Sequence, residues 1–416
     1  MANSETIKNH ASKLSSFLGL QRSTIGVLAM VVLVGMGERM AERFLPIYMM
    51  ALGGGALAIG LLQAMDNFLS ALYSFPGGYL SDRIGTKKSL ILFNLVAMGG
   101  FALVIMIPTW QAVLLGAVFF ISWSAISLPA TMSLIYKVLP QNKRTMGVSM
   151  HSLVRRIPMS LGPLVGGLFI IVWGERDGVR IAFGAALFMA AVALVMQQRM
   201  IEADKVSEAN SENAYGLPPE KNPLKLFKLM NSSMKGLLVT DILVRFCEQI
   251  PYAFVVVWCM KVISEPVTAL QFGGLTTIEM ITAVLIYIPV AYLVDRSTKK
   301  PFAVITFFFF SLFPLVLLFS QSLEWLVVAF ILRGLKEFGE PTRKALIMDL
   351  SPDSCKAGMF GLYYLIRDVF VAMAALGGAF LWQISPQTNL VTTFVFGIIG
   401  TLGFWIFGRD IDPAHQ

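Results

Sequence analysis

Charge is scarce in this chain. Charged residues make up 14% of its 416 positions, where soluble domains average about 25%. Hydrophobic residues make up 56%, and mean hydropathy is +0.71. A folded core cannot absorb so much apolar surface, so lipid is the expected solvent for most side chains. The net charge of +8 then speaks to membrane orientation and gives no support for a nucleic-acid partner. Cysteine is nearly absent. Cys247, Cys259 and Cys355 show neither metal nor disulfide spacing and read as reduced packing residues. No His/Cys/Glu cluster has metal-ligand spacing, so no metal or cofactor is expected. The Gly-x-x-x-x-Gly-Lys-Ser/Thr loop that cradles nucleotide phosphates is missing, which argues against a directly ATP-driven pump. No motif supports an enzyme. Met1 to Arg22 is polar, without an apolar core ahead of a cleavage site, so no removable signal peptide is expected.

What the chain does have is long apolar runs. Runs of about 20 residues span a bilayer as helices. Twelve are expected, at roughly 24–51, 56–80, 89–108, 110–139, 146–173, 179–199, 235–260, 268–294, 300–320, 323–349, 358–384 and 388–408. Alternate loops divide by charge. One set holds Arg83, Lys87, Lys88, Lys143, Arg144, Arg296, Lys299 and Lys300. The other, around Gly53, Pro108, Pro266 and Pro386, has almost no Lys or Arg. The positive-inside rule then places both termini in the cytoplasm. One long polar stretch, 201–233, is rich in Glu, Lys, Asn and Ser and contains Pro218, Pro219 and Pro223. It reads as a cytoplasmic linker between two six-helix bundles. Lys221, Lys225 and Lys228 in its second part suggest a short amphipathic helix on the membrane surface. The expected division is a tail at 1–22, a bundle at 23–200, the linker at 201–233, a bundle at 234–409 and a tail at 410–416.

The two halves repeat each other. Gly78-Tyr79-Leu80-Ser81-Asp82-Arg83-Ile84-Gly85-Thr86-Lys87-Lys88 is echoed by Ala291-Tyr292-Leu293-Val294-Asp295-Arg296-Ser297-Thr298-Lys299-Lys300. An acid lies sixteen positions upstream of each Asp, Asp66 in one half and Glu279 in the other. Gly60 matches Gly273, Pro129 matches Pro341, and Arg155 matches Arg367. In the first span of each half, Arg39-x-x-Glu42 matches Arg245-x-x-Glu248. Halves repeated in the same orientation imply a pseudo-two-fold axis along the membrane normal and a cavity between them, the plan of a secondary transporter.

The Gly78–Lys88 block resembles the signature loop of the major facilitator superfamily, Gly-x-x-x-Asp-Arg-x-Gly-Arg-Lys, with Thr86 in place of the usual Arg. The second copy lacks both glycines. The resemblance covers nearly the whole chain. It implies an all-α membrane protein of twelve transmembrane helices in two pseudo-symmetric six-helix bundles, with spans one, four, seven and ten lining the cavity. Gly162-Pro163-Leu164-Val165-Gly166-Gly167 resembles an element of proton-antiporting exporters in that superfamily, and plain helix packing is the other reading. Span four lacks the Arg that many of those exporters carry. Glu42-Arg43-Phe44 is similar to part of the Glu-x-x-Glu-Arg-Phe motif of proton-coupled oligopeptide transporters, although Glu38 is one position off that spacing.

Ionisable groups inside a membrane cost at least about 2.5–3.5 kcal/mol each on insertion scales, yet the spans hold many. Arg39, Glu42 and Arg43 share a face of span one, with Glu38 beside them. Asp241, Arg245 and Glu248 run i, i+4, i+7 in span seven, and Arg333, Glu337 and Glu340 do the same in span ten, with Lys336 in reach of Glu340. Mutual ion pairing and a role in transport are both open for these faces. Asp66 and Glu279 have no basic neighbour within a helical turn. Each must stay protonated or find a partner across helices. Proton coupling is therefore assigned to Asp66, Glu279 and Glu42. Substrate contact is assigned to Arg39, Arg155, Asp241, Arg245, Glu248, Arg333, Glu337 and Arg367, because Arg pairs with carboxylate or phosphate in a bidentate manner. His151 reads as a packed histidine. Gating is assigned to Gly78, Asp82, Arg83, Gly85, Asp295 and Arg296, since Asp82 can pair with a cation or a helix N-terminus and so hold one state.

The expected function is proton-coupled transport of a small anionic or zwitterionic organic solute by alternating access, in a bacterial cell membrane, by a monomer. The expected partners are that solute, protons and the lipid bilayer, with no nucleic acid. A proton-antiport efflux pump is one alternative, and a transport-inactive sensor or scaffold on the same fold is another.

Overall fold

Apolar runs become helices here because backbone groups in lipid must find their hydrogen bonds within the segment. The computed structural model describes residues 22–120, 127, 144–200, 223–294, 300–339, 342–343, 346–347, 350–351 and 356–408. The N-terminal tail, much of expected span four with Pro129, most of the linker, Asp295 and Arg296, Glu340 and Pro341, Cys355 and the C-terminal tail lie outside these residues. So do the side chains of Asp82, Arg83 and His151.

In chain order the described helices begin with α1 (Arg22–Glu42), α2 (Leu45–Ala51), α3 (Ala56–Ile84), α4 (Thr86–Met106) and α5 (Trp110–Phe120). They continue with α6 (Arg144–Met200), α7 (Pro223–Leu229), α8 (Ser232–Tyr252) and α9 (Val255–Val257), which runs into a π-helical turn at Trp258–Val262. Then come α10 (Ala269–Val294), α11 (Lys300–Phe319), α12 (Leu323–Leu335), α13 (Lys356–Ile384) and α14 (Pro386–Phe407). Six described helices are long and apolar enough to cross a membrane, and the bent pair Ser232–Tyr252 and Val255–Val262 makes a seventh. Large apolar side chains such as Leu285, Phe188 and Trp405 stand exposed on them, as expected where lipid is the solvent.

Local chemistry sets the breaks. Gly85 joins α3 to α4 at φ 90°, a left-handed conformation that glycine adopts without strain. Gly174 at φ 79° divides α6 into two arms. Asn231 caps α8 by accepting from the Met234 N–H at 2.7 Å, and Ser385 caps α14 by accepting from the Thr388 N–H at 2.9 Å. Two spans expected to be continuous are broken. The first is interrupted at Arg43-Phe44, and Pro46 stands in the first turn of α2. The seventh bends by 45° after Tyr252. Pro251 supplies no N–H to the helical ladder, and the Phe254 N–H turns back to the Pro251 carbonyl at 2.8 Å.

The described chain forms two compact units, Met1–Gly53 with Leu72–Glu208 and Gly54–Ala71 with Ala209–Gln416. In the first unit α1 lies along α6, and α4 packs on α5 and α6. Phe101, Phe120 and Phe183 form its aromatic centre, with ring centroids 5.3–5.9 Å apart. Small residues let α1 and α6 approach closely. A Cβ on Gly162 would come within 2.6 Å of the Arg39 Cβ, and one on Gly166 would collide with the Met40 carbonyl oxygen. Gly166→Leu is therefore expected to destabilise the purified protein by about 1–3 kcal/mol or more through overpacking. A thermal melt in detergent checks this, and an unchanged melting temperature would contradict the close approach.

The second unit packs α8 against α13 and α14, and α14 against α11. Its core includes Met230, Met234, Leu237, Phe307, Tyr363 and Phe404. Ser311 and Thr401 share a hydrogen bond of 2.9 Å between α11 and α14. The first turns of α3 belong to this unit, where Gly60 sits against Ala379 of α13.

Candidate functional site

Helical periodicity turns Asp241, Arg245 and Glu248 to one side of α8, with the guanidinium between two carboxylates. Arg245 Nη1 donates to Glu248 Oε2 at 2.7 Å, and its Nε lies 3.9 Å from Asp241 Oδ1. Neighbouring helices complete the cluster. Lys336, capping α12, places Nζ 2.8 Å from Glu248 Oε1 and 3.4 Å from Glu279 Oε1 of α10. Arg333 Nε is 3.3 Å from the same Glu279 oxygen. Glu279 thus takes the second course open to it, a cationic partner across helices.

At the other end Asp241 is fully buried. Its Oδ2 accepts from Arg343 Nη1 at 2.5 Å and from the Tyr363 hydroxyl at 3.0 Å. Arg367 Nη1 lies 3.9 Å from that oxygen, while its Nε donates to Asp368 Oδ1 at 2.7 Å. The Arg367 guanidinium stacks on Tyr364, 4.1 Å from the ring centroid. The result is a continuous line of alternating charge, from Glu279 through Lys336, Glu248, Arg245 and Asp241 to Arg343 and Arg367. Among the described residues, Arg245, Arg333, Lys336, Arg343 and Arg367 face Asp241, Glu248, Glu279 and Asp368. Arg367 Nη1 and Asp241 Oδ1 are buried without a hydrogen bond. This leaves bonding capacity at the Asp241 end of the line.

Several predicted residues stand apart from this line. In the first unit Arg39 pairs with Glu42 at 2.7 Å, Glu38 is buried, and Arg155 on α6 is partly buried. Asp66, partly buried on α3, has the Ser70 hydroxyl 3.5 Å from its Oδ1. Glu337 lies in the turn that follows α12. Gly78, Asp82 and Arg83 belong to the last turns of α3, directly before Gly85.

The sequence reading missed several residues. Arg343 is the largest fully buried side chain among the described residues. Its spacing from Arg333 and Lys336, at i+10 and i+7, continues the polar face of span ten and could have found it. Tyr363 and Tyr364 carried no comparable signal. Neither did the amide group in which Gln63 Nε2 and Asn67 Nδ2 donate to Gln249 Oε1 at 3.3 and 3.2 Å. Lys336 bonds Glu248 and Glu279 across helices, while Glu340, its expected partner by spacing, lies outside the described residues.

Buried ion pairs within apolar helices are the equipment of a carrier, and comparison with known proteins agrees. The chain resembles an uncharacterized MFS-type transporter of Methanocaldococcus jannaschii, 23% identical over 384 residues, covering 88% of this chain and 90% of that one. It also resembles an uncharacterized MFS-type transporter of Mycobacterium tuberculosis, 31% identical over 159 residues, or 38% of each. Among solved structures, the nucleoside transporter NupG superimposes with a TM-score of 0.79 at 13% identity, covering 93% of this chain and all of that one. A peptide transporter POT in complex with sulfate gives a TM-score of 0.74 at 14% identity, covering 93% of each. The sequence profile of the Major Facilitator Superfamily matches residues 27–266 and 242–416. With a family profile matched along nearly its whole length, this multi-pass membrane protein belongs to the Major Facilitator Superfamily of transporters.

Proposed function

We propose that the protein couples proton movement to the transport of a small anionic or zwitterionic organic solute, working by alternating access as a monomer in a bacterial cell membrane with both termini in the cytoplasm. The observation that carries the reading is Lys336, one ammonium shared by two carboxylates on different helices, Glu248 and Glu279. Protonation of Glu279 removes half of that grip, and Lys336 and Arg333 then have charge to offer an incoming oxyanion. Arrival of the oxyanion in turn weakens the hold of both cations on the carboxylates and raises their proton affinity. Solute and proton thus stabilise each other's binding, as linkage requires of a coupled carrier.

The Asp241 end supplies specificity in this reading. Arg245 and Arg367 present planar forks, and Arg367 keeps one unbonded nitrogen. Asp82 and Arg83 with their second-half counterparts Asp295 and Arg296, together with Gly78 and Gly85, would govern the exchange between states. Gly162 and Gly166 are accounted for by the packing of α6 on α1, so the reading takes no transport direction from them.

A melting-shift panel on purified protein tests the charge class. Carboxylates, phosphonates and amino acids should raise the melting temperature, with about 2.7 kcal/mol of stabilisation at a hundredfold excess over Kd. Tetraalkylammonium ions should not. Arg245→Lys and Arg367→Lys keep the charge but lose the fork, and each should weaken the shift. A preference for permanent cations would overturn the reading.

A further inference from the structure

The stretch of chain that leads into the second unit ends in α7, which takes no part in the charged line. Between Pro223 and Gly236 the sequence carries Lys225, Lys228 and Lys235 and no acid. Leu226 and Met230 are buried in the core of the second unit, in one cluster with Leu237, Phe307 and Tyr363. Asn231, just past α7, caps α8 and donates from Nδ2 to the Leu350 carbonyl at 3.2 Å. The helix is thus fastened to the unit along one face. The rest of its circumference is open. Phe227, Lys228 and Leu229 are all exposed, with Lys228 about 200° around the helix from Leu226. Large apolar side chains set beside lysines on an open face suit the boundary of a bilayer better than water or hydrocarbon.

Depth along α8 identifies what meets this patch. Lys235 is exposed, and its Nζ lies 5.4 Å from the Phe227 ring centroid, so ammonium and ring share one surface. One turn further along the same face stands Val239, also exposed. An open face that passes from lysine to valine within one turn crosses from headgroups into hydrocarbon. The neighbouring helix marks the same level. α14 runs antiparallel to α8, with Gly397 against Cys247 and Gly403 against Thr240. Trp405 is exposed and stands within about one turn of Lys235 in depth. Tryptophan is enriched at the membrane–water boundary, where both its apolar body and its N–H find partners.

We propose that α7 and the first turn of α8 form a docking surface for anionic phospholipid, in which Lys228 and Lys235 hold headgroup phosphates while Phe227 and Leu229 enter the acyl boundary. A protein partner fits less well, because the patch lies level with the headgroups and turns aliphatic within one turn of Lys235. The leaflet rests on the cytoplasmic topology proposed above, since anionic lipid on that side attracts basic segments. The contact itself does not depend on that topology.

The test melts purified full-length protein in detergent micelles doped with phosphatidylglycerol or with phosphatidylcholine. Phosphatidylglycerol should raise the melting temperature and reach half its effect at a mole fraction at least about fivefold lower, since one lysine near an anionic surface contributes about that factor. Replacing Lys228 and Lys235 together with Gln should abolish the preference, and Arg at both positions should keep it. Both side chains are exposed and lie outside the charged line, so the lipid-free melts should match the wild type. Glycerol 3-phosphate, a headgroup without chains, should give no shift. Equal effects of the two lipids overturn the proposal, as does a preference that survives the double Gln variant, which places the lipid on other lysines. A full shift from glycerol 3-phosphate also overturns it, by making this a free-phosphate site. The leaflet is read separately, by labelling Lys228→Cys with a membrane-impermeant maleimide on intact cells. Labelling above the parent protein would overturn the cytoplasmic topology and leave the lipid contact standing.

Discussion

Replacing Arg343 with Leu is expected to cost the protein about 3–5 kcal/mol of stability, because it strands the Asp241 carboxylate in the interior. Both partners are almost wholly buried, at 1% and 0% exposure, so no water replaces the lost guanidinium. The Tyr363 hydroxyl remains 3.0 Å from Asp241 Oδ2, and the Arg245 and Arg367 guanidiniums stay 3.9 Å from the carboxylate, but none of the three replaces the direct charge-assisted hydrogen bond. Asp241→Leu should be comparably damaging from the other side, since Arg343 would then lack its carboxylate. The double variant is the informative one. With both charges gone, no ion is stranded, and much of the stability should return, because buried ion pairs are often no better than apolar residues of similar volume. A double-mutant cycle on melting in detergent measures this. Additive losses in the double variant would contradict the pairing.

Gradient-driven uptake should collapse in Glu279→Gln. One pH unit supplies about 1.4 kcal/mol per proton, hence about tenfold accumulation of solute when one proton accompanies each molecule. Gln keeps the size of the side chain and can still accept from Arg333 and Lys336, so the fold should hold. It cannot carry a proton, so accumulation under a one-unit gradient should drop to about one, while downhill exchange of solute continues. Glu42→Gln and Asp66→Asn are parallel variants. Their carboxylates lie outside the line that contains Lys336, Glu42 beside Arg39 and Asp66 beside Ser70. If all three variants keep wild-type accumulation, proton coupling through these acids is wrong.

Residue spacing already carried the α8 face. Asp241, Arg245 and Glu248 share a side because the helix repeats every 3.6 residues, and the structure joins Arg245 to both acids. The apolar runs likewise marked the helices, since twenty apolar residues have few alternatives to a span. What spacing cannot give is a partner on another helix. Glu279 meets Arg333 and Lys336 only through the packing of α10 on α12, and a one-residue change in that register would select other neighbours. The same holds for Gln249, which meets Gln63 and Asn67 across more than 180 positions of chain. The breaks in the first and seventh spans were hidden for a different reason. Their apolar runs continue through the break, so hydropathy reports one span where Pro251 forces two helical pieces.

Proton and anionic solute should move together through the charged line of the second unit. The most direct measurement places the purified protein in liposomes with a trapped pH indicator and adds the tightest-binding oxyanion of the panel outside, with no imposed gradient. The account predicts that solute addition shifts lumenal pH in the wild type, in proportion to solute moved, and that Glu279→Gln moves solute without the shift. Solute flux with no change in lumenal pH in the wild type would contradict it.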